Sequence, residues 1–272
     1  MPKIGINLVL YLPQIIFGNI IEAIKKAKED GLDFVQIHPY RFLDVEELLK
    51  SVLPIKYCED SWNDGSIREF IKGKLNGNKY APQVHDIILF PPALEANKKK
   101  DKIIKSTKAK SIGHSPNDFC NPNILLIELS PKLWMTSLEI IQACEKSGKK
   151  LVFDTYHVRR EADLANDDTY KPEGTPNQNL LKMEGWQNVI DNLCDQIELV
   201  HLQALRNTDE FNEFISGKST ELEEMIRYLL TKGFRGDFVL EFTTSQKEIL
   251  LDQAKFRKKL KKAKNKIIKI MA

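Results

Sequence analysis

Four short apolar runs in the second half of the sequence each end on an ionisable side chain: Glu128 in LLIELS, Asp154 in LVFDTYH, His201 in ELVHLQ and Glu241 in FVLEFT. A single carboxylate in such a place can be satisfied by backbone amides or a nearby lysine. Three carboxylates and an imidazole gathered in one partly desolvated cavity would repel one another unless neutralised. A divalent cation resolves that conflict. Three oxygen donors and one nitrogen suit Mn²⁺, Mg²⁺ or Co²⁺, with Zn²⁺ an option if further nitrogens join. A metal-free structural cluster is the alternative.

Other side chains are weighed in the same way. His38 closes an apolar run and is a candidate to face the site, and His114 in SIGHSPND is either a substrate contact or a turn cap. His85 opens a run and is expected to be structural, and Glu59 and Asp60 are read as solvated loop carboxylates. Arg159 and Arg160 follow His157 and are either surface arginines or a bidentate phosphate site. Trp62, Trp134 and Tyr156 are candidate walls for a ligand pocket or members of the core.

These residues act together only if the fold brings them together, and the pattern of elements suggests how. Short β-branched runs alternate with longer amphipathic stretches: strands at 4–9, 33–38, 54–60, 84–90, 124–129, 151–154, 197–202 and 237–242. Helices are expected near Asn19–Glu29, from Asp44 with Glu47 as capping box, after Ser66 with Glu69, over 94–108, over Thr136–Ser147 closed by Gly148, up to Cys194, and over Glu221–Leu230. For the fourth strand, VHDIILF at 84–90 competes with KSIGHS at 110–115 and is preferred. Near-continuous apolar strands imply a parallel sheet covered by helices. Eight βα units in a chain of this length predict a single (β/α)8 TIM barrel over residues 1–272, whose active site lies where the strands end. A doubly wound open sheet is the alternative, although no GxGxxG or GxxxxGK[ST] follows the first strand. The segment 158–177 is long enough to serve as a lid.

The strand ends ELS, DTYH, HLQ and LEF, with GFRG before the last, resemble those of the xylose-isomerase-like TIM barrels, a superfamily of sugar isomerases and epimerases that also holds the endonuclease IV type of abasic-site nuclease. The resemblance covers residues 124–242. It implies one divalent metal held by Glu128, Asp154, His201 and Glu241, with the two glutamates also exchanging the substrate proton. It further implies that His157 contacts substrate oxygen and that Arg206 does so from beyond the metal histidine, with His38 and His114 as further substrate-binding candidates. The implied activity is isomerisation or epimerisation of a sugar or sugar phosphate through an enediolate. The alternatives are a nuclease of the endonuclease IV type and a non-catalytic or dehydratase-type relative. The nucleases carry three zinc ions with extra histidines; here Phe90 and Pro91 stand at the expected fourth-strand end and RNTDEFNEF holds no Asp-x-His, which argues against that branch. Many relatives also have a Glu where the second strand here carries Gln36 and His38.

Composition predicts a soluble globular protein: 42% hydrophobic and 29% charged residues in 272. The N-terminus lacks a signal-peptide pattern, and no window approaches about 18 uninterrupted apolar residues, so a cytoplasmic protein with no membrane contact is expected. Cys58, Cys120, Cys144 and Cys194 form no CxxC, and Cys144 and Cys194 are expected to be small hydrophobes within helices. The net charge of +3 hides a basic C-terminus: residues 255–272 hold nine Lys and Arg and no acid, while the rest carries 32 basic against 38 acidic residues. Phe256, Leu260, Ala263, Ile267 and Ile270 form one helical stripe, so this segment is expected to be a docked amphipathic helix with a solvated basic face rather than a nucleic-acid arm. The resemblance implies a small-molecule sugar or sugar phosphate as partner; nucleic acid is not expected, and a homo-oligomer is an option.

Overall fold

The computed structural model describes residues 2–11, 14, 19–39, 43–59, 93–159, 179–205, 208–242 and 252–272. Eight parallel strands follow sequence order in a closed barrel: β1 Ile4–Asn7, β2 Val35–Ile37, β3 Ile55–Glu59, β4 Lys110–Gly113, β5 Leu126–Glu128, β6 Lys150–Asp154, β7 Ile197–Leu202 and β8 Asp237–Leu240. This is the expected (β/α)8 class. The fourth strand corrects the expectation: it is KSIG, and 84–90 lies outside the described residues, as do the helix after Ser66 and His85. No helix among the described residues is long and apolar enough to cross a membrane. The chain divides into two compact units, Ile6–Ser111 and Met1–Gly5 with Ile112–Ala272.

In the first of these, β1 pairs with β2 through Ile6↔Val35 and Asn7↔Gln36, and β2 pairs with β3. Helix α1, Ile20–Glu29, starts where the Asn19 side chain accepts the Glu22 N–H at 3.0 Å, and it buries Ile20, Ala23, Ile24 and Ala27 at helical spacing. Asp44 caps α2 through the Glu46 N–H at 2.8 Å, but α2 covers only Val45–Leu48. The longer helix expected there is cut short because Pro54 disfavours helical backbone at Leu53, and Ser51 turns the chain by bonding the Leu53 carbonyl. Helix α3, Ala93–Thr107, is the expected Lys-rich helix.

In the larger unit, α4, Ser137–Ser147, has the full capping box: Thr136 N–H donates to Glu139 at 2.7 Å, and Glu139 N–H donates to the Thr136 hydroxyl at 3.3 Å. It ends on Gly148 as expected. Two short helices follow, α5 Leu180–Glu184 and α6 Trp186–Leu193, and then α7 Glu210–Ser216 and α8 Glu221–Thr231. Cys144 is buried within α4, and burial pushes its thiol up to about 11. Cys194 differs from expectation in ending α6 at a half-buried position.

The C-terminal helix α9, Gln253–Met271, buries Phe256, Leu260, Ala263 and Ile267 of the predicted stripe, while Ile270 is half-buried. Its Lys266 lies 4.5 Å from the Phe214 ring centroid and pairs with Glu223 of α8, which Arg227 also holds at 2.7 Å. Burial would raise the Glu223 carboxyl, but hydrogen bonds from Lys266 and Arg227 outweigh it and hold the group below its ordinary value. A depressed folded pKa contributes stability above the unfolded value of about 4.3, and that contribution is lost as pH falls through the folded value. Glu223→Gln is therefore expected to cost about 0.5–1 kcal/mol near neutrality, or about 2 °C in melting temperature. The gap between wild type and variant should close below about pH 4 in melts followed across the acid range.

Candidate metal centre

Register brings the four strand-end residues together. Asp154 and His201 are direct partners across β6 and β7, Glu128 pairs with Val152, and the Glu241 N–H donates to the Leu202 carbonyl at 3.1 Å, one residue past β8. All four are buried, Asp154 and His201 completely. The His201 Nδ1 lies 3.1 Å from Glu128 Oε2, 3.6 Å from Glu241 Oε1 and 3.9 Å from Asp154 Oδ2. Ligand atoms of Asp154, His201 and Glu241 lie within 4.8 Å of one another, and so do those of Glu128, Asp154 and His157.

The Asp-x-x-His spacing now has a physical cause. Asp154 Oδ1 accepts the N–H groups of Tyr156 at 2.7 Å and His157 at 2.9 Å, folding the chain into a tight turn straight after β6. That turn sends the His157 ring back, so its Nε2 stands 3.3 Å from Glu128 Oε1. His114 follows β4, where Asp118 accepts its backbone N–H at 2.9 Å, and its Nε2 lies 3.3 Å from Glu128 Oε2. His114 therefore both belongs to a capped turn and faces the cluster. β4 ends at Gly113, directly before His114, and Phe90 and Pro91, expected at that end, lie outside the described residues.

Electrostatics separate the carboxylates. Burial pushes Glu128 up, but the charge of His114 and contacts with His114, His157 and His201 win and hold its carboxyl well below the usual range. Asp154 goes the other way: burial raises it, His157 opposes, and the negative charge of Glu128 adds to the rise. Among the described residues Glu128 Oε2 is buried without a hydrogen bond, although His201 Nδ1 and His114 Nε2 lie 3.1 and 3.3 Å from it. A buried carboxylate oxygen in that condition, among three carboxylates and an imidazole, fits the donor set of a divalent cation.

Some residues fall elsewhere. Arg159 is neither at the surface nor available to phosphate: it is buried, donating to the Thr155 carbonyl at 2.6 Å, Glu210 at 2.6 Å, Glu221 at 3.3 Å and the Gln203 carbonyl at 3.0 Å. Tyr156 is buried and packs its ring 5.6 Å from that of His157, and Trp134 is half-buried. Arg160, Arg206, Asp60, Trp62 and most of the expected lid lie outside the described residues. In the smaller unit His38 sits in a buried polar cluster, 3.4 Å from Glu59, which also accepts from Gln36 at 2.6 Å. Glu59 is thus a buried strand end and not a solvated loop carboxylate. Sequence reasoning also passed over Gln203, whose Nε2 bonds Asp154 Oδ2 at 2.9 Å and Glu241 Oε2 at 2.8 Å. The only signal was its place two residues after His201.

No protein-family model and no curated protein matches this sequence. Solved structures do match in fold. A 3-keto-D-glucoside 4-epimerase from E. coli aligns with a TM-score of 0.55 at 12% identity over 97% of this chain and 100% of its own. A D-allulose 3-epimerase from Methylomonas sp., solved with D-allulose, aligns with a TM-score of 0.51 at 13% identity over 100% and 97%. An L-ribulose 3-epimerase gives 0.51 at 13% identity over 100% and 95%. At such identities the likeness is one of fold.

Proposed function

From the xylose-isomerase-like TIM-barrel fold of this chain, we propose that it is a divalent-metal-dependent isomerase or epimerase of a sugar or sugar phosphate, working as one catalytic domain. The observation that carries this is the convergence of Glu128, Asp154 and Glu241 around the His201 nitrogen, with a buried Glu128 oxygen that has no hydrogen bond among the described residues. The fold neighbours named above are sugar epimerases, which supports the substrate class.

Glu128, Asp154, His201 and Glu241 would hold one Mn²⁺, Mg²⁺ or Co²⁺, with Zn²⁺ as a further option given the nearby imidazoles. When bound, such an ion supplies Lewis-acid polarisation of a substrate oxygen and a template for orientation. The chain's own groups move the proton. Glu128, kept ionised by the imidazoles around it, is suited to take a proton from carbon, leaving an enediolate. Glu241, on another strand, donates a second proton from its own carboxylic acid form, and exchange with solvent then restores Glu128 to carboxylate and Glu241 to acid. Donation to the opposite face of the same carbon gives an epimer; donation to the neighbouring carbon, with the hydroxyl proton passing between the two oxygens, gives an isomer. His157, locked by the Asp154 turn, and His114 are placed to bond substrate hydroxyls, and Arg206 is assigned the same task by resemblance alone.

Stripping the protein with a chelator should abolish solvent deuterium incorporation into ketoses, aldoses and their phosphates, and added Mn²⁺, Mg²⁺ or Co²⁺ should restore it. A metal-replete protein that exchanges no proton on that panel overturns the proposal; tight metal binding without turnover would point to a non-catalytic relative. A metal-dependent phosphodiesterase is the second reading, favoured by the place of His114 beside Glu128. It expects more than one metal per chain and cleavage of abasic-site duplexes.

A further inference from the structure

Gln203 stands just beyond β7 on a backbone that has little freedom. Its N–H donates to the Thr155 hydroxyl at 2.8 Å, and its carbonyl accepts from the same hydroxyl at 2.8 Å and from Arg159 at 3.0 Å. The side chain is buried, only 7% exposed for the whole residue. A primary amide has two N–H groups, and here Asp154 Oδ2 and Glu241 Oε2 take one each. Among the described residues the amide oxygen, Oε1, is buried with no hydrogen-bond partner. The two carboxylates therefore set the orientation of this amide.

The effect on the carboxylates is specific. Asp154 Oδ1 already accepts two backbone N–H groups and Oδ2 accepts from Gln203, so Asp154 has room to offer a cation one oxygen. Glu241 Oε2 is likewise engaged, leaving Oε1 as the oxygen on the His201 side. We propose that Gln203 is a positioning residue that keeps Asp154 and Glu241 one-oxygen ligands and thereby selects a small octahedral cation over Ca²⁺. Calcium takes roughly six to eight oxygens and uses two-oxygen carboxylates readily, whereas magnesium-sized ions demand compact octahedral sites. This rests on the cation site proposed above.

The test is a titration of the chelator-stripped protein with Mn²⁺, read by the spin resonance of free manganese, with Ca²⁺ as competitor. In Gln203→Met, of similar length but with no donor, the Mn²⁺ dissociation constant should rise about 10- to 100-fold and the preference for Mn²⁺ over Ca²⁺ should narrow about tenfold. Gln203→Glu supplies an extra oxygen in place of the two donors and should move the preference toward Ca²⁺ at least as far. Folded variants that keep both affinity and preference within about threefold of wild type overturn the proposal. So would two variants that fail to melt cooperatively, since Gln203 would then be a residue of the core. Wild type binding neither ion refutes the cation site itself, whatever the variants do.

Discussion

Glu128→Gln is expected to abolish proton exchange while leaving the barrel folded. The carboxyl has imidazole nitrogens of His114, His157 and His201 at 3.3, 3.3 and 3.1 Å, and this is why it stays ionised although buried. An amide at the same position keeps the volume but can neither accept the proton nor neutralise those rings. General acid–base groups contribute on the order of 10²–10⁴-fold, so kcat should fall by about a thousandfold, and deuterium incorporation at the substrate carbon should vanish. Circular dichroism should be unchanged. Glu241→Gln should also block exchange, with a different consequence for binding, because Gln203 loses one of its two acceptor charges there. Exchange retained in Glu128→Gln would sink the two-carboxylate mechanism.

Gly236→Ala should give the largest loss of stability. Gly236 lies directly before β8, and a Cβ there would stand 2.1 Å from the Glu198 carbonyl oxygen and 2.7 Å from both the Glu198 carbonyl carbon and the Phe234 ring. The nearest obstacle is backbone in β7, which cannot step aside cheaply. An overpacking cost of about 3 kcal/mol is expected, or about 6–12 °C in melting temperature for a chain of this size. Because β8 carries Glu241 at its end, metal affinity should fall in the same variant. Gly217→Ala is the comparison. Its φ is +93° with open space around it, so only left-handed strain is added, about 1 kcal/mol. Equal melting losses in the two variants would show that the approach to Glu198 is not tight.

Much of the site was legible because its signals are local. Each apolar run with an ionisable end is a strand whose last side chain reaches one end of a parallel barrel, and that rule needs no coordinates. The Thr136 capping box and the stripe of α9 were read the same way, from spacing alone. The fourth strand shows where locality fails. VHDIILF is more apolar than KSIG, yet Lys110–Gly113 takes the place beside β5, because a strand is chosen by the neighbour it bonds and not by its own hydrophobicity. That choice carried His114 into the cluster and removed one sequence argument against a nuclease-type site.

The sequence by itself determined the barrel class, the four ionisable strand ends and the terminal helix, since periodicity and strand ends are properties of contiguous residues. Only the tertiary structure decided that Glu59 is buried, that Arg159 is an internal brace, and that Gln203 holds two carboxylates with one amide. Those roles join residues 23 to 62 positions apart. No spacing rule reports such pairs, because they are set by strand register and by how buried polar groups find partners once water is gone.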